Sequence, residues 1–296
     1  AYTDADGDKL ADPPTDPSKF LNPKELTFSV VAGDEPAGAE KIWKPLMDHL
    51  AKATGRPVNY LSKDGEEDLR GTEQQIAAVR DGRLHITAFN TGAVPLAVNT
   101  AGFHPLFAPS DDSGPVSYQM QIVVPGNSPI ASLADLKGKT LGFVALSSNS
   151  GARAPLVILN EQAGLLPGRD YQYVMTGHHQ RSVQELASGK SEPSFQAACV
   201  ASDLLQDMYH NQSVDKSRVK VIFTSASFPK IPFGVPHNLD PELRKKIAEG
   251  FASFPLSSLQ LKTSGATKFG PLVYSKAFAD VLAIDAKLIA LLGGKP

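Results

Sequence analysis

Residues 135–159 read DLKGKTLGFVALSSNSGARAPLVIL. Residues 140–144 are apolar and β-branched, a strand pattern, and Pro155 to Leu159 continue an apolar helix. Between them lie Ser147, Ser148, Asn149, Ser150 and Gly151, a turn of hydroxyl and amide side chains. The first turn of a helix leaves about four backbone N–H groups without intrahelical acceptors, and the aligned peptide dipoles add partial positive charge there. Polar donors ahead of such a turn form a cradle for an anion. Ser150 or Asn149 acting only as a helix cap is the plainer reading of either residue alone. Four polar donors in succession favour a site.

Outward from this stretch the chain alternates strand and helix. On the N-terminal side LTFSVVA (26–32) is a buried strand, and residues 39–54 form a helix with Ile42, Trp43, Leu46, Met47 and Leu50 on one stripe. Pro45 falls in its first turns or kinks it. PVNYL (57–61) is a strand, 72–80 a helix ended at Gly82, and LHITAF (84–89) a strand. A helix over 92–100 and strands at FHPLFA (103–108) and YQMQIVV (118–124) follow. The second block repeats the scheme: strand 139–144, helix to Ala163, strand YQYVM (171–175), helix 179–188, strand FQAACV (195–200), helix from Ser202, strand VKVIF (219–223). Residues 224–236, with three prolines, read as a return crossing, and Asp240-Pro241-Glu242 opens a further helix. The expected fold is α/β, two lobes each built on a mainly parallel sheet, with two hinge crossings and a ligand cleft between them. The expected boundaries are an extended acidic arm over 1–25, a first lobe over 26–119 and 225–296, and a second lobe over 120–224. The C-terminal helices are expected on the first lobe.

Composition narrows the function. With 296 residues, 42% hydrophobic and 20% charged, the chain is an ordinary globular sequence with enough apolar residues for a sizeable core. Lys plus Arg number 29 against 31 Asp plus Glu, a net charge of -2 with no basic block, which points away from nucleic acid or an anionic membrane surface. No apolar run reaches the roughly 18–20 residues that span a bilayer. The single cysteine, Cys199, permits neither an internal disulfide nor a cysteine-based zinc site. The opening AYTDADGD is what removal of a signal peptide leaves, and a trimmed chain looks the same. The expectation is an exported, periplasmic, monomeric protein.

The first 25 residues carry Pro13, Pro14, Pro17 and Pro23 and read as an extended arm. Within it Asp4, Asp6, Asp8 and Asp12 follow a DxDxDxxxD spacing. Alternate carboxylates on a turning backbone can surround calcium with oxygen ligands, and the pattern resembles the acidic calcium repeats of thrombospondin type 3 and dockerin modules. A solvated acidic tail is the other reading.

Five segments together resemble the periplasmic solute-binding proteins of phosphonate, phosphite and phosphate ABC transporters. They are WKPLMDHLAKATGRPV (43–58), IAAVRDGRLHITAFNTG (76–92), SLADLKGKTLGFVALSSNSG (132–151), TGHHQRSVQELASGK (176–190) and IPFGVPHNLDPELRKKI (231–247). The likeness extends over residues 26–255, and the third segment is its most specific part. It implies a type II periplasmic-binding fold that closes on one small phosphorus oxyanion and hands it to a membrane permease, with no cofactor. By the same resemblance Ser148, Asn149 and Ser150, with Ser147 beside them, meet the ligand's oxygens, and His179 and Ser182 approach it from the next helix. His178 is the other histidine that can cap that helix. Tyr118 is a further donor or else a core or hinge tyrosine, with Gln121 nearby. Gln75, Thr72, Asn90 and Thr91 are the first-lobe candidates.

Departures from the family pattern bear on the ligand. Asn149 stands where relatives carry threonine, and Thr72 where many carry tyrosine. Asn90, Thr91 and Gly92 replace a GP-S-Y turn, and Ala201 replaces an aspartate, with Ser202 kept and Asp203 following. In aminoalkyl phosphonate binders that aspartate pairs with the ligand's amine, so its loss favours a small or neutral-tailed oxyanion.

Two rivals frame the reading. An enzyme would need a recognisable constellation, and G-x-S-x-G, HExxH and GxxxxGK[ST] are all missing from the sequence. A periplasmic oxyanion sensor signalling to a membrane kinase, arsenic oxyanions included, would look to the soft thiolate of Cys199. The flanking AACVA instead suggests a buried structural thiol.

Overall fold

The computed structural model describes residues 2–30, 39–61, 71–189, 194–259 and 265–293. In chain order the first strands and helices are β1 (Leu26–Val30), α1 (Ala39–Thr54), β2 (Val58–Tyr60), α2 (Thr72–Arg80), β3 (Ile86–Ala88), α3 (Val94–Ala101), β4 (Phe103–Asp111) and β5 (Gly114–Pro115). A second series follows: β6 (Ser117–Pro125), β7 (Thr140–Phe143), α4 (Ala154–Ala163), β8 (Gln172–Met175), α5 (His179–Ala187), β9 (Ala197–Ala201), α6 (Ser202–His210) and β10 (Val219–Pro229). The chain ends with β11 (Phe233–Pro236), α7 (Pro241–Ser253), β12 (Lys268–Pro271), α8 (Tyr274–Ala277) and α9 (Ala279–Leu291). Val31 and Ala32, read as the end of the first strand, lie outside the described residues.

Two compact units result, one of Ala1–Val116 with Pro229–Ala279 and one of Ser117–Phe228 with Asp280–Pro296. The first holds a seven-stranded sheet ordered β12-β4-β11-β3-β1-β2, with β5 on β4. Its β1, β2 and β3 run parallel, whereas β11 and β12 are antiparallel to their neighbours. The second unit holds a five-stranded sheet, β10-β6-β9-β7-β8, parallel across β7, β8 and β9 and antiparallel at β6. Each sheet is therefore parallel only over the strands linked by helical crossovers, since β6 and β11 enter without one.

The first unit's core forms where the apolar stripe of α1 meets the sheet and α7. Leu46, Met47 and Leu50 are buried with Phe28, Phe107, Phe233, Phe251 and Phe269. Gly250 lets α1 and α7 approach, because a Cβ there would lie 2.8 Å from Leu50 Cδ2. Asp240 caps α7 as expected, its side chain accepting from the Leu243 N–H at 3.0 Å with Pro241 following.

Three local expectations change. The stretch 224–236 is not a plain crossing: β10 runs on to Pro229 and β11 occupies Phe233–Pro236. The arm is folded rather than extended, with Asp12 N–H bonded to Thr3 O at 2.8 Å and Leu21 bridged to Leu239. Ala11 O meets the buried His104 Nε2 at 2.6 Å, so the arm is tied to the first unit. The last helix, α9, falls with the second unit instead of the first. Asp285 on α9 pairs with Arg153, and Lys287 Nζ reaches Glu161 on α4 at 3.0 Å.

Candidate functional site

In the second unit β7 runs into the polar turn and α4 begins with an unusually wide coil. Residues Asn149–Arg153 form a π-helical turn in which Arg153 N–H bonds to Ser148 O at 3.0 Å. Single π turns inside α-helices are frequent at functional sites. Ser148 caps this turn, its Oγ accepting from the Gly151 N–H at 3.0 Å. Gly151 packs against the strand end: its carbonyl accepts from Val144 N–H at 3.0 Å, and a Cβ on it would fall 2.6 Å from Val144 Cβ. Only glycine lets the turn fold back so closely.

The turn's two leading residues are buried, Asn149 at 2% and Ser150 at 3% exposure, while Ser147 and Ser148 are half-buried. Asn149 Nδ2 donates to Tyr118 Oη on β6 at 3.3 Å, which joins the expected turn to the expected tyrosine. Tyr118 is buried and lies beside Phe228. As the first residues of a helical segment, Asn149 and Ser150 have backbone N–H groups without intrahelical acceptors.

His179 is buried as the first residue of α5, with exposed His178 as the helix cap. Ser182 is fully buried and directed into the protein: its Oγ lies 2.6 Å from Thr176 Oγ1 and 3.0 Å from His178 O. Thr176 Oγ1 in turn bonds Phe143 O at 3.0 Å. These hydroxyls fasten the start of α5 to the end of β7, and so fix where His179 stands. Thr176 had no place among the expected residues, although it sits in the same TGHHQRS segment.

The first-unit candidates also hold their own fold. Gln75, buried on α2, donates through Nε2 to Ser29 Oγ at 3.4 Å and accepts from Thr87 Oγ1 at 3.2 Å. Asn90 Oδ1 accepts from Ala93 N–H at 3.1 Å, and Thr91 Oγ1 donates to Pro229 O at 2.9 Å. Thr72 opens α2 and is half-buried. In the second unit Gln121 Nε2 reaches Thr224 Oγ1 at 3.4 Å. Ala201 and Ser202 lie where β9 passes into α6, and the Ser202 hydroxyl accepts from Gln119 N–H at 3.0 Å.

Cys199 lies on β9 with no exposed surface, and burial pushes its thiol pKa up. A soft thiolate open to arsenite is therefore lacking, and the sensor reading that leaned on it loses its support.

In the N-terminal arm Asp4, Asp6 and Asp8 each bring a carboxylate oxygen within 4.8 Å of the others. Their loop is closed by bonds from Lys9 N–H to Asp4 Oδ2 and from Leu10 N–H to Asp8 Oδ1. Asp12 instead accepts from Ala5 N–H at 3.0 Å, outside that trio.

Among known proteins, the family described as ABC transporter, phosphonate, periplasmic substrate-binding protein matches residues 28–275. The solved structure of XAC2383 from Xanthomonas citri, bound to chloride, is 20% identical with a TM-score of 0.74, covering 92% of this chain and 100% of its own. PhnD1 from Prochlorococcus marinus, in complex with methylphosphonate, is 17% identical with a TM-score of 0.72, covering 90% and 99%. A binding protein component of an ABC phosphonate transporter from Pseudomonas aeruginosa is 18% identical with a TM-score of 0.64, covering 92% and 98%. At these identities the structures establish the fold, the two-lobe type II periplasmic-binding fold. Among the described residues no helix is long and apolar enough to cross a membrane.

Proposed function

The chain belongs to the periplasmic substrate-binding proteins of phosphonate ABC transporters, a family of binding proteins rather than enzymes, and from that premise we propose that it captures a small phosphorus oxyanion and delivers it to a membrane permease. The observation that carries this reading is the turn at 148–150, whose buried Asn149 and Ser150 open a helical segment. Ser148, Asn149 and Ser150, with Ser147 at the rim, hold the anion's oxygens by neutral donors and helix-terminal N–H groups. His179 and Tyr118 complete the second-lobe shell, and Ser182 holds the helix that carries His179. Thr72, Gln75, Asn90 and Thr91 are the first-lobe groups proposed to close the shell. Charge-assisted hydrogen bonds of about 1.5–3 kcal/mol each are strong enough, taken together, to supply the roughly 5.5 kcal/mol that converts a 99:1 open-to-closed population into 1:99.

Alanine at position 201 removes the carboxylate that an aminoalkyl ligand would need. The favoured ligands are accordingly methylphosphonate, phosphite or phosphate. The protein acts as an exported periplasmic monomer and needs no cofactor for binding. The Asp4, Asp6 and Asp8 loop is proposed as a structural calcium site, apart from the ligand.

Thermal unfolding of dialysed protein against these three anions tests the reading, because a ligand at 100 times its Kd adds about 2.7 kcal/mol. A selective rise in Tm is expected. No rise after unfolding, dialysis and refolding, which strips retained ligand, would overturn the assignment.

A further inference from the structure

The Asn149 side chain is oriented by one bond, from Nδ2 to the Tyr118 oxygen at 3.3 Å. Its other polar atom, Oδ1, is buried and has no hydrogen-bond partner among the described residues. A buried acceptor left unsatisfied is costly, and such groups in folded proteins are commonly completed by a ligand or a bound water. The surroundings of Asn149 are rich in donors: the first N–H groups of the helical segment have no intrahelical acceptors, while Ser148 Oγ already receives the Gly151 N–H. Donors suit the lone pairs of a fully ionised oxyanion. A carbonyl oxygen set among them repels such a ligand and attracts one that keeps an acidic hydrogen.

We infer that Asn149 selects the protonation state of the ligand, its Oδ1 accepting a hydrogen bond from a P–OH group so that the monoprotonated oxyanion is the form bound. Tyr118 sets this selectivity by holding the nitrogen end of the amide, which leaves Oδ1 as the buried acceptor without a protein donor among the described residues. The inference rests on the reading of this turn as the phosphonate cradle, and it accounts for asparagine where the resembling family carries threonine. A threonine hydroxyl can donate as readily as accept, whereas the amide oxygen at Asn149 can only accept.

Other ionisable groups lie on the elements around Asn149. They are Tyr118 on β6, Cys199 on β9, Glu161 on α4 and Arg153 in the turn itself, with Asp285 paired to Arg153 and Lys287 to Glu161. His179, Arg181 and Glu185 lie on α5, which packs on β9, and Asp203, Asp207 and His210 lie on α6, which packs on β6 and β9.

Isothermal titration of the intact protein with methylphosphonate and with its more acidic chloromethyl analogue, from pH 5 to 9, separates ligand from protein ionisation. The Kd is expected to be constant below each ligand's second ionisation and to rise tenfold per pH unit above it. The break should fall at lower pH for the chloromethyl compound. Asn149→Thr should still bind but lose the ligand-linked break. A break at one pH for both ligands would assign the proton to the protein and overturn the inference. A flat profile, or affinity that rises with pH, would overturn it as well. Absence of binding at every pH would instead overturn the phosphonate reading on which it rests. If Asn149→Thr does not fold, the two-ligand comparison on the native protein decides alone.

Discussion

Thr176 Oγ1 and Ser182 Oγ lie 2.6 Å apart, both buried, and this pair of hydroxyls couples the segment after β8 to the first turn of α5. Through Thr176 the coupling reaches Phe143 O, and through Ser182 it reaches His178 O. With one proton each, the two hydroxyls serve these three contacts by one donating to the other while the second donates to a backbone carbonyl, and they tie the backbone ahead of His179 to the helix turn after it.

Ser182→Ala should cost about 1–2 kcal/mol, since it removes the buried partner of the Thr176 hydroxyl. Urea unfolding measures the loss, and titration with methylphosphonate should show weaker binding because His179 is no longer held. An unchanged midpoint would show that the pair contributes nothing to stability.

Gly151→Ala introduces a Cβ that would sit 2.6 Å from Val144 Cβ and 2.7 Å from Ser148 Oγ. The turn must open, at about 1–3 kcal/mol for an overpacked site. We expect a larger fractional loss of ligand affinity than of stability, measured side by side, because the displaced residues are those of the cradle. Full affinity in this variant would remove the turn from the binding site.

His104 gives stability a pH dependence of known sign. Burial first, and then the neighbouring Arg244 charge, pushes its imidazole from 6.5 down to about 4. Its Nε2 faces Ala11 O at 2.6 Å, so that nitrogen carries the proton, and a second proton would go to buried Nδ1, which has no partner among the described residues. Below pH 6.5 the unfolded chain takes up a proton that the folded chain refuses. Stability contributed by neutral His104 is thus complete above pH 6.5 and drains away as pH falls towards 4, by about 3 kcal/mol in total. Urea midpoints between pH 7 and 4 should fall less steeply in His104→Gln, and equal slopes in the two proteins would refute the assignment.

Calcium should raise Tm, and EDTA should reverse the rise, if Asp4, Asp6 and Asp8 hold the ion. Asp6→Asn together with Asp8→Asn should abolish the response without affecting phosphonate binding. A melting curve indifferent to calcium in the native protein would leave the arm as a solvated acidic turn.

The sequence was legible where local pattern decides structure. The stripe from Ile42 to Leu50 defines α1, and the helix over 72–80 is found at Thr72–Arg80, because each depends on residues three or four positions apart. Proline misled where it stands at strand ends: Pro229 and Pro236 close β10 and β11, positions at which a missing N–H costs little. The Ser148–Ser150 turn was readable from its composition, and its bond to Tyr118 joined two residues already singled out. The commitment of Ser182 to Thr176 was not readable, since the direction of a hydroxyl depends on how β8 and α5 meet. Nor was the place of α9, which rests on ion pairs between residues far apart in the chain.

That last pairing makes the second lobe discontinuous. Lys287 meets Glu161 across 126 positions, and Asp285 meets the Arg153 that ends the binding turn. A fragment covering residues 117–228 contains every strand of its sheet yet lacks the helix that carries Asp285 and Lys287. During synthesis the cradle's own segment emerges long before its final support, with most of the first lobe's return segment translated in between. The Arg153–Asp285 pair, which ties the end of the binding turn to α9, therefore forms only after residue 285 has been made, whereas the bonds within the turn, from Gly151 N–H to Ser148 Oγ and from Val144 N–H to Gly151 O, are local.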